Sequence, residues 1–454
     1  MISAKKQTYI FYIFLASIVL FACLSNVHIT FQILLYPIVI LAPIIFDDTK
    51  TVSIYFFAAC FMACFIGGKF LIMLNISLLL LEAKKLFLAI KNKENFSNIV
   101  KVLIVWLSIS TIFTIYSLIY NDFKIYRKKM FIDFIQCCVT FYLIRKNINI
   151  KHILFTLFAG IITSVAIGLI FNLANINEFI AGDITDRFGA FFNNVNTLSV
   201  YCTLCASSFV VLLLNNKLQF NKYFYFPIIT SAIGLLTYSK AFILVNLLLY
   251  GMWFVLSFIK SNNKKKFILF SIGLIFVLTL AIFLAKDYVK TIIARFIDTD
   301  HSTIINNFTT GRADIWEAYL KRWLKSPLTF LFGNGFTASK ITTNQYEHSI
   351  YIAFLYQFGI VGSIIIIGTL VWTIRKNAKL QRNIACYIPL SLLLLNGIVS
   401  NLSGILCTCL IWILAFYFVT FDNDVNNIST ISQNNVDNPL SLTDENNINT
   451  NIQI

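Results

Sequence analysis

A small set of polar residues downstream of residue 180 has the chemistry of an anion site that includes a base. Its members are Arg187, Asn196, Lys240, Arg295, Arg312 and His348. Arginine binds phosphate oxygens through a fork of N–H donors, and the start of a helix also favours anions. An imidazole can take a proton from a hydroxyl group. Each Arg could instead cap a helix or pair with an acid, and a single His could be structural, so the elements that position them matter.

The chain is far more apolar than a soluble domain. It is 58% hydrophobic and 12% charged, against roughly 45–50% and 25% in soluble domains. Apolar runs of about 20 residues, enough for one helix to cross a bilayer, recur along it. Their residues do not alternate in character as those of a transmembrane β-barrel do. We therefore expect an all-α, polytopic membrane protein with about 12 to 14 transmembrane helices.

The positions of the expected spans follow from these apolar runs. They are residues 8–24, 29–46, 52–66, 70–88, 99–119, 131–144, 152–173, 197–214, 223–238, 241–259, 267–285, 349–372, 384–398 and 402–420. Two of the short early runs could be re-entrant segments instead, so the expected number of spans is a range.

Basic residues lie mainly in the short connectors between the apolar runs. The formal net charge of +16 would suggest nucleic acid in a soluble protein, but the positive-inside rule accounts for it here. The connectors that carry Lys84, Arg145, Lys264 and Arg375 fall on one side, which we expect to be cytoplasmic together with both termini. The basic connector at 124–129 falls on the opposite side in this topology, so the number of spans within residues 1–150 stays open.

The runs divide the chain into four parts. Residues 1–285 are N-terminal transmembrane helices with an outer loop at 174–196, and residues 348–421 are C-terminal transmembrane helices. Residues 286–347 form a large outer loop, which is too long for an ordinary connection and is therefore expected to be functional. The Asn-rich residues 422–454, which lack Lys and Arg, are expected to form a disordered cytoplasmic tail.

The large loop contains a predicted amphipathic helix. Its apolar side chains recur at helical spacing at Trp316, Tyr319, Leu320 and Trp323. Glu317 and Lys321 are placed to pair at i, i+4. We expect the helix to start near Thr310–Gly311 and to stop at Ser326–Pro327. Trp and Tyr on one face suit a helix that lies at the membrane interface.

Cysteine does not indicate a metal or redox site. All ten cysteines lie in apolar runs. The pairs Cys202-x-x-Cys205 and Cys407-x-Cys409 are therefore expected to be packing residues in preference to metal ligands or redox pairs.

Ionisable residues inside the apolar runs are few, which disfavours an ion-coupled carrier. Lys69, Asp133 and Lys240 are the nearest to exceptions. We expect Lys69 to mark a turn after two glycines. Asp133 is expected to be an interface residue, because the basic connector at 124–129 is close to it.

Several short motifs occur in a fixed order in the second half of the chain. They are Thr310-Gly311-Arg312 with Trp316, Phe332-Gly333-Asn334-Gly335, His348-Ser349 and Gly359-x-x-Gly362. Together they resemble the signature of the bacterial O-antigen polymerase and O-antigen ligase superfamily. Upstream, Arg187 with the amides at 193–196 and Tyr238-Ser239-Lys240 resemble two further landmarks of that family. The resemblance covers residues 187–365. The chain departs from the usual motifs at Val195, Lys240 and Ser349.

The resemblance implies a membrane glycosyltransferase that acts at the periplasmic face of the bacterial inner membrane. Its donor would be an oligosaccharide on undecaprenyl pyrophosphate. Arg187 and Arg312, with Arg295, Lys240 and the amide of Asn196, would bind the pyrophosphate. His348 and Arg312 would be the catalytic residues. His348 would activate the acceptor hydroxyl, and Arg312 would stabilise the leaving pyrophosphate. The resemblance implies no metal and no cofactor.

The acceptor separates two activities that the sequence leaves open. A polymerase extends a second lipid-linked repeat unit of O-antigen or capsule, whereas a ligase transfers the glycan to lipid A-core. We favour the polymerase, because polymerases are the more divergent group. A transporter or flippase for the same lipid-linked glycans is a third reading. Expected partners are the lipid-linked oligosaccharide, membrane lipids, a chain-length regulator and a flippase, with no nucleic acid.

Overall fold

The computed structural model describes residues 4–65, 70–93, 97–120, 128–171, 188–192, 194–261, 264–265, 268, 290, 293, 311–336, 348–377, 380–399 and 410–420. Every regular element in these ranges is helical. The helices are α1 (Ala4–Ser25), α2 (Thr30–Ile45), α3 (Asp48–Ala59), α4 (Phe70–Lys91), α5 (Ser97–Tyr120), α6 (Lys128–Ile144), α7 (Ile150–Phe171), α8 (Val195–Leu214), α9 (Tyr225–Leu235), α10 (Lys240–Lys260), α11 (Arg312–Trp323), α12 (Pro327–Phe332), α13 (Ile350–Asn377), α14 (Ile388–Val399) and α15 (Leu410–Val419).

The described helices confirm the expected class of fold. Six of them, α1, α5, α7, α8, α10 and α13, are long and apolar enough to cross a membrane, and α2, α14 and α15 belong to shorter apolar helices. Each expected span overlaps a described helix except 267–285, of which the structure describes only residue 268. The larger number of about 12 to 14 spans stays a prediction, as do the sidedness of the loops and the tail at 422–454.

Helix α8 forms the centre of the bundle. Almost every side chain from Thr197 to Leu214 is buried, and α8 packs against α7, α9, α10, α14 and α15. A helix that is apolar on all sides must be covered on all sides. Cys202 and Cys205 are buried free thiols inside this helix. Residues 407 and 409 lie outside the described part of the chain.

The expected span at 52–66 is wrong in its extent. Helix α3 begins at Asp48 and ends at Ala59, and a single 3-10 turn at Met62–Cys64 follows. Its 12 residues reach only about 18 Å at 1.5 Å per residue, which is short of the roughly 30 Å hydrocarbon layer. The chain then turns back inside the bundle, where Ala63 N–H donates to Phe191 O at 2.9 Å. The apolar run continues past Ala59 because these turns are themselves buried.

The basic connector expected beside Asp133 lies mostly outside the described residues, so the interface position of Asp133 stays a prediction. Asp133 itself is buried in the bundle. It is 3% exposed, and it accepts a hydrogen bond from Asn75 Nδ2 at 2.5 Å. Gln136 Nε2 donates to Asn75 O at 2.7 Å, and Thr140 Oγ1 donates to Glu82 at 2.7 Å. A row of polar groups therefore joins α4 to α6. The sequence alone could not show that α4 supplies these partners. Lys69 lies outside the described residues.

The final residues of α8 and α10 are neighbours. Lys260 Nζ donates to Leu214 O at 2.7 Å. Asn383 Nδ2, which precedes α14, donates to Asn215 Oδ1 at 2.6 Å. The two helices are therefore parallel, and they end where α14 approaches.

Helices α6 and α15 end at the same place. Arg145 Nε, just after α6, donates to Thr420 Oγ1 at 2.8 Å. Gln381 N–H, two residues before Asn383, donates to Val419 O at 2.9 Å. We call this side of the bundle the basic end, because Arg145 and Lys260 both lie there.

The opposite side of the bundle, which we call the candidate end, holds the first half of α13. Phe131, in the first turn of α6, contacts Phe336 and Phe358 with ring centroids 5.4 and 5.2 Å apart. Since α6 ends at the basic end, its first turn lies at the other end. Helices α8 and α10 also begin at the candidate end, because both terminate at the basic end.

Helices α11 and α12, with the turn that runs to Phe336, form a compact elbow against α13. The predicted helix is confirmed: α11 starts at Arg312, one residue after Gly311, and its Glu317–Lys321 ion pair is 2.6 Å long. Helix α11 ends at Trp323, just before the expected stop at Ser326–Pro327. The same two residues also start α12, where Ser326 and Thr329 form a capping box.

The aromatic face of α11 packs on protein. Tyr319 is 2% exposed, and its ring meets that of Tyr356 of α13 edge to face at 5.0 Å. Trp323 stacks on Phe330 of α12 at 5.2 Å and donates its Nε1–H to the carbonyl of Phe330 at 3.1 Å. Ile315 completes this small core. The face expected at the membrane interface therefore holds the elbow to α13.

We predict that Tyr319→Ala releases α11 from α13. Truncating a buried aromatic side chain costs about 3–5 kcal/mol, whereas the exposed Glu317–Lys321 pair contributes at most about 1 kcal/mol. Amide hydrogen exchange on the full chain in nanodiscs should show lost protection at residues 312–323 for Tyr319→Ala. Glu317→Ala, on the same helix, should retain it. Unchanged protection in Tyr319→Ala would contradict this account of the packing.

Candidate functional site

Arg312 is the first residue of α11 and has an unusual environment for a cation. It is partly buried, and burial lowers the pKa of its guanidinium. Among the described residues, the side chain of Arg312 has no hydrogen-bond or ion-pair partner. The preceding Gly311 has φ 74° and offers no side-chain cap to the first N–H groups of α11. The start of α11 therefore places a guanidinium at the positive end of a helix dipole, a combination suited to an anion.

His348 lies two residues before the start of α13 in a strained backbone conformation. Its φ is 48°, a left-handed value that is uncommon for residues other than Gly. The following Ser349 is buried, and its carbonyl accepts the N–H of Ala353 at 3.0 Å. Such strain persists only where neighbouring structure holds it, and it is common at functional sites. The backbone therefore fixes the direction in which this imidazole leaves the chain.

Lys240 is the first residue of α10 and follows a similar tight turn. Tyr238 has φ 48°, and Ser239 caps the helix by accepting the N–H of Phe242 at 3.4 Å. Thr237 Oγ1 accepts the N–H of Ser239 at 3.3 Å. The motif at 238–240 is therefore a helix-start motif, which places a positive charge in the first turn of α10.

Asn196 is the second residue of α8, as expected for an amide at the mouth of that helix. Its N–H donates to the side chain of the cap residue Asn194 at 2.8 Å. Upstream, the segment Phe188–Phe192 is inserted into the bundle, and Phe191 N–H donates to Ser164 Oγ at 3.3 Å. The bundle thus anchors the chain that leads into α8.

The described candidates share one end of the bundle. Asn196, Lys240 and Arg312 stand in the first turns of α8, α10 and α11, and His348 lies two residues before α13. Helix α11 packs on α13, and α8 packs on α10. Helix α14 contacts both α10 and α13 and so joins the two pairs. Arg187 and Arg295 lie outside the described residues.

The turn at Gly333-Asn334-Gly335 docks into a break in α13 at Gly359. Gly359 has φ 63° and ψ −170°, which interrupts the helix. The interruption removes helical donors from the carbonyls of residues 356 and 357. Asn334 N–H donates to Tyr356 O at 2.6 Å, and Gly335 N–H donates to Gln357 O at 2.9 Å. Two motifs that are far apart in sequence therefore form one structural unit.

Glycine is required on both sides of this contact. A Cβ on Gly333 would lie 2.4 Å from Gln357 O, and a Cβ on Gly359 would lie 2.3 Å from Leu331 O. Both glycines also have positive φ, a region that L-residues enter at a cost. The glycines of the two motifs are thus explained by packing and backbone conformation.

Helix α5 supplies two further residues that the sequence did not indicate. Tyr116 Oη–H donates to Gly333 O at 2.8 Å. Ser117 Oγ accepts the N–H of Phe336 at 2.7 Å. These partners are more than 200 positions apart in the chain, and the only local signal is polarity near the end of an apolar run. They hold the turn between the elbow and the segment that leads to His348.

Metal-ligand clusters and comparisons with known proteins do not help to define the site. Within the described ranges, no group of three or more His, Cys, Asp or Glu side chains could hold a metal ion. Comparison with protein-family models, curated proteins and solved structures finds no match to this chain. The helices themselves define its class as an all-helical, membrane-embedded protein.

We predict that Gly359→Ala detaches the turn from α13. The added methyl group would overlap Leu331 O and Gly333 N, and the left-handed backbone alone costs a non-Gly residue about 1–2 kcal/mol. Thermal unfolding of the purified protein in detergent should show a clear loss of stability. The matched control is Gly368→Ala in the same helix, where the new methyl group meets nothing within 4 Å. That variant should be neutral or slightly stabilised, and equal effects of the two would contradict the docking.

Proposed function

We propose that this protein is a membrane glycosyltransferase that polymerises undecaprenyl-pyrophosphate-linked O-antigen or capsule repeat units. It would act at the periplasmic face of the bacterial inner membrane. The resemblance of the motifs within 187–365 is the main support. The structural observation that carries it furthest is Arg312, a partly buried cation without a partner in the described part of the chain, at the same end of the bundle as His348.

The reaction needs a cation for the leaving group and a base for the nucleophile. The hydroxyl of the acceptor sugar attacks the anomeric carbon of the donor's reducing-end sugar, and the bond from that carbon to the phosphate oxygen breaks. Undecaprenyl pyrophosphate leaves with the bonding electron pair. Arg312 would stabilise the charge on the leaving pyrophosphate, and His348 would take the proton of the hydroxyl.

The remaining candidates would complete the pyrophosphate site. Asn196 and Lys240 are at the candidate end and can offer an amide donor and an ammonium. Arg187 and Arg295 are proposed on the resemblance alone. The basic end, by the positive-inside rule, would face the cytoplasm, which would put the candidate end on the periplasmic side. The chemistry proposed here requires neither a metal nor a cofactor.

We predict that Arg312→Ala and His348→Ala abolish the joining of repeat units while leaving the fold intact. Loss of a positioned charge lowers turnover about 100- to 1,000-fold, and loss of a general base lowers it by about 100- to 10,000-fold. Arg312→Lys should retain partial activity, because Lys keeps the charge but loses the paired donors. The measurement is turnover of defined lipid-linked repeat units by purified protein in nanodiscs.

Matched controls keep this test specific. Arg382→Ala and His28→Ala remove the same side-chain types at exposed positions and should leave turnover unchanged. Full activity in both Arg312→Ala and His348→Ala would refute the site assignment. Absence of any joining by the unmodified protein would refute the glycosyltransferase itself.

We predict that deletion of the gene in its host leaves single repeat units attached to the lipid A-core. A polymerase makes the chain longer, so its loss leaves the attachment step intact. In a host that makes capsule, the corresponding result is loss of the polymer. Glycolipid analysis by gel electrophoresis and mass spectrometry reads the outcome. Long chains that remain on undecaprenyl pyrophosphate would instead identify the O-antigen ligase.

A transporter of lipid-linked glycans is the second candidate, and the α4–α6 contact favours it. Buried carboxyl groups inside a membrane are costly and often mark a transport path. Asp133 is such a group and is bonded to Asn75. The nanodisc assay separates the two candidates, because a transporter moves the lipid-linked glycan between leaflets without joining it to another.

A further inference from the structure

The outer face of the elbow, opposite its contact with α13, is apolar and uncovered. Leu324 exposes 58% of its surface, and Leu328, Leu331 and Phe332 expose between 38% and 41%. The last three are spaced at i, i+3 and i+4, so they share one face of α12. Leu324 extends this face to the end of α11. Four large apolar side chains thus point away from the protein at one place.

Two cations border this apolar face. Arg322 and Lys325 are exposed, and neither has an acidic partner among the residues that the structure describes. Lys321 is different, since it pairs with Glu317 at 2.6 Å. Arg322 and Lys325 flank Leu324 in sequence. The outer face therefore combines exposed leucines with two free positive charges.

The elbow lies level with the ends of helices that can span the membrane. Phe336, four residues after α12, donates its N–H to Ser117 in the last turn of α5. The same residue contacts Phe131 in the first turn of α6 at 5.4 Å. The apolar span within α5 ends at Ile119. Hydrocarbon gives way to headgroups at the ends of such spans, so the outer face of the elbow lies at that boundary.

We propose that the outer face of the elbow binds anionic phospholipids of the surrounding bilayer leaflet. Leu324, Leu328, Leu331 and Phe332 insert among the acyl chains, and Arg322 and Lys325 contact the phosphate groups. Apolar side chains next to cations are the composition of an interfacial helix. A second copy of this chain fits less well, because it would bring the same two cations together. The proposal does not depend on glycosyltransferase activity.

The face of the elbow that contacts the membrane in this proposal is not the one that the sequence suggested. The Trp and Tyr face of α11 is used against α13, where Tyr319 and Trp323 are buried. The membrane contact passes to α12, a helix that the sequence did not indicate. Lipid binding at this face would hold the elbow, and with it Arg312, at a defined height above the bilayer.

The test places a photoactivatable side chain at Leu328 of the full chain. The protein is reconstituted in nanodiscs of equal phosphatidylcholine and phosphatidylglycerol, irradiated, and analysed by mass spectrometry. We expect lipid adducts at this position, with phosphatidylglycerol enriched about threefold over phosphatidylcholine, because each basic side chain near an anionic leaflet favours it severalfold. The same label at Leu331 repeats the test if the first variant does not fold.

Two label positions and one charge variant provide the controls. Ile364, a 65% exposed residue of α13, should form lipid adducts without preference for either headgroup. Glu317, whose side chain is 62% exposed on the polar side of α11, should form few. Arg322→Gln with Lys325→Gln should lower the enrichment at Leu328 to the value found at Ile364. Adducts with a second protein copy, no lipid adducts, or enrichment unchanged by the charge variant would each overturn the proposal.

Discussion

The contact between Gly333 and Gly359 is the constraint on which the candidate end depends. A helix broken inside an apolar bundle leaves carbonyl groups without donors, and an unpaired buried carbonyl is costly. The turn at 333–335 supplies the missing N–H groups to Tyr356 and Gln357. Because the backbones approach this closely, neither glycine can carry a side chain. One requirement thus determines the break in α13, the position of the elbow and the glycines of two motifs.

Residues before and after this turn hold the two parts of the candidate site in place. Before the turn, α11 and α12 are held to α13 by Tyr319 and by the Trp323–Phe330 stack. After it, Phe336 is fixed by Ser117. The next residue that the structure describes is His348, whose backbone is left-handed just before α13 begins. Arg312 therefore lies on an element that packs on the first half of α13, the helix that His348 precedes. The order of the motifs in the sequence could suggest this proximity but could not explain it.

The sequence predicted the helices well because apolarity over about 20 residues is a strong local signal. It also predicted α11 and its Glu317–Lys321 pair, since helical spacing is local. It failed where the deciding contact was distant: α3 is too short to span because its continuation turns inside the bundle, and the bond from Asn75 of α4 to Asp133 could not be foreseen. It predicted the end of α11 just before Ser326–Pro327 but missed α12, since the same residues can stop one helix and cap the next.

Helix electrostatics separates Arg312 from the other basic residues of the elbow. Lys321 and Arg322 stand in the last turn of α11, where the negative end of the helix dipole stabilises cations. Arg312 stands at the positive end, as the first residue of α11, so the helix itself disfavours its charge. Burial disfavours that charge further, and no acid among the described residues pairs with it. A residue placed against both the dipole and its solvation is best explained by an anion that arrives from outside the chain.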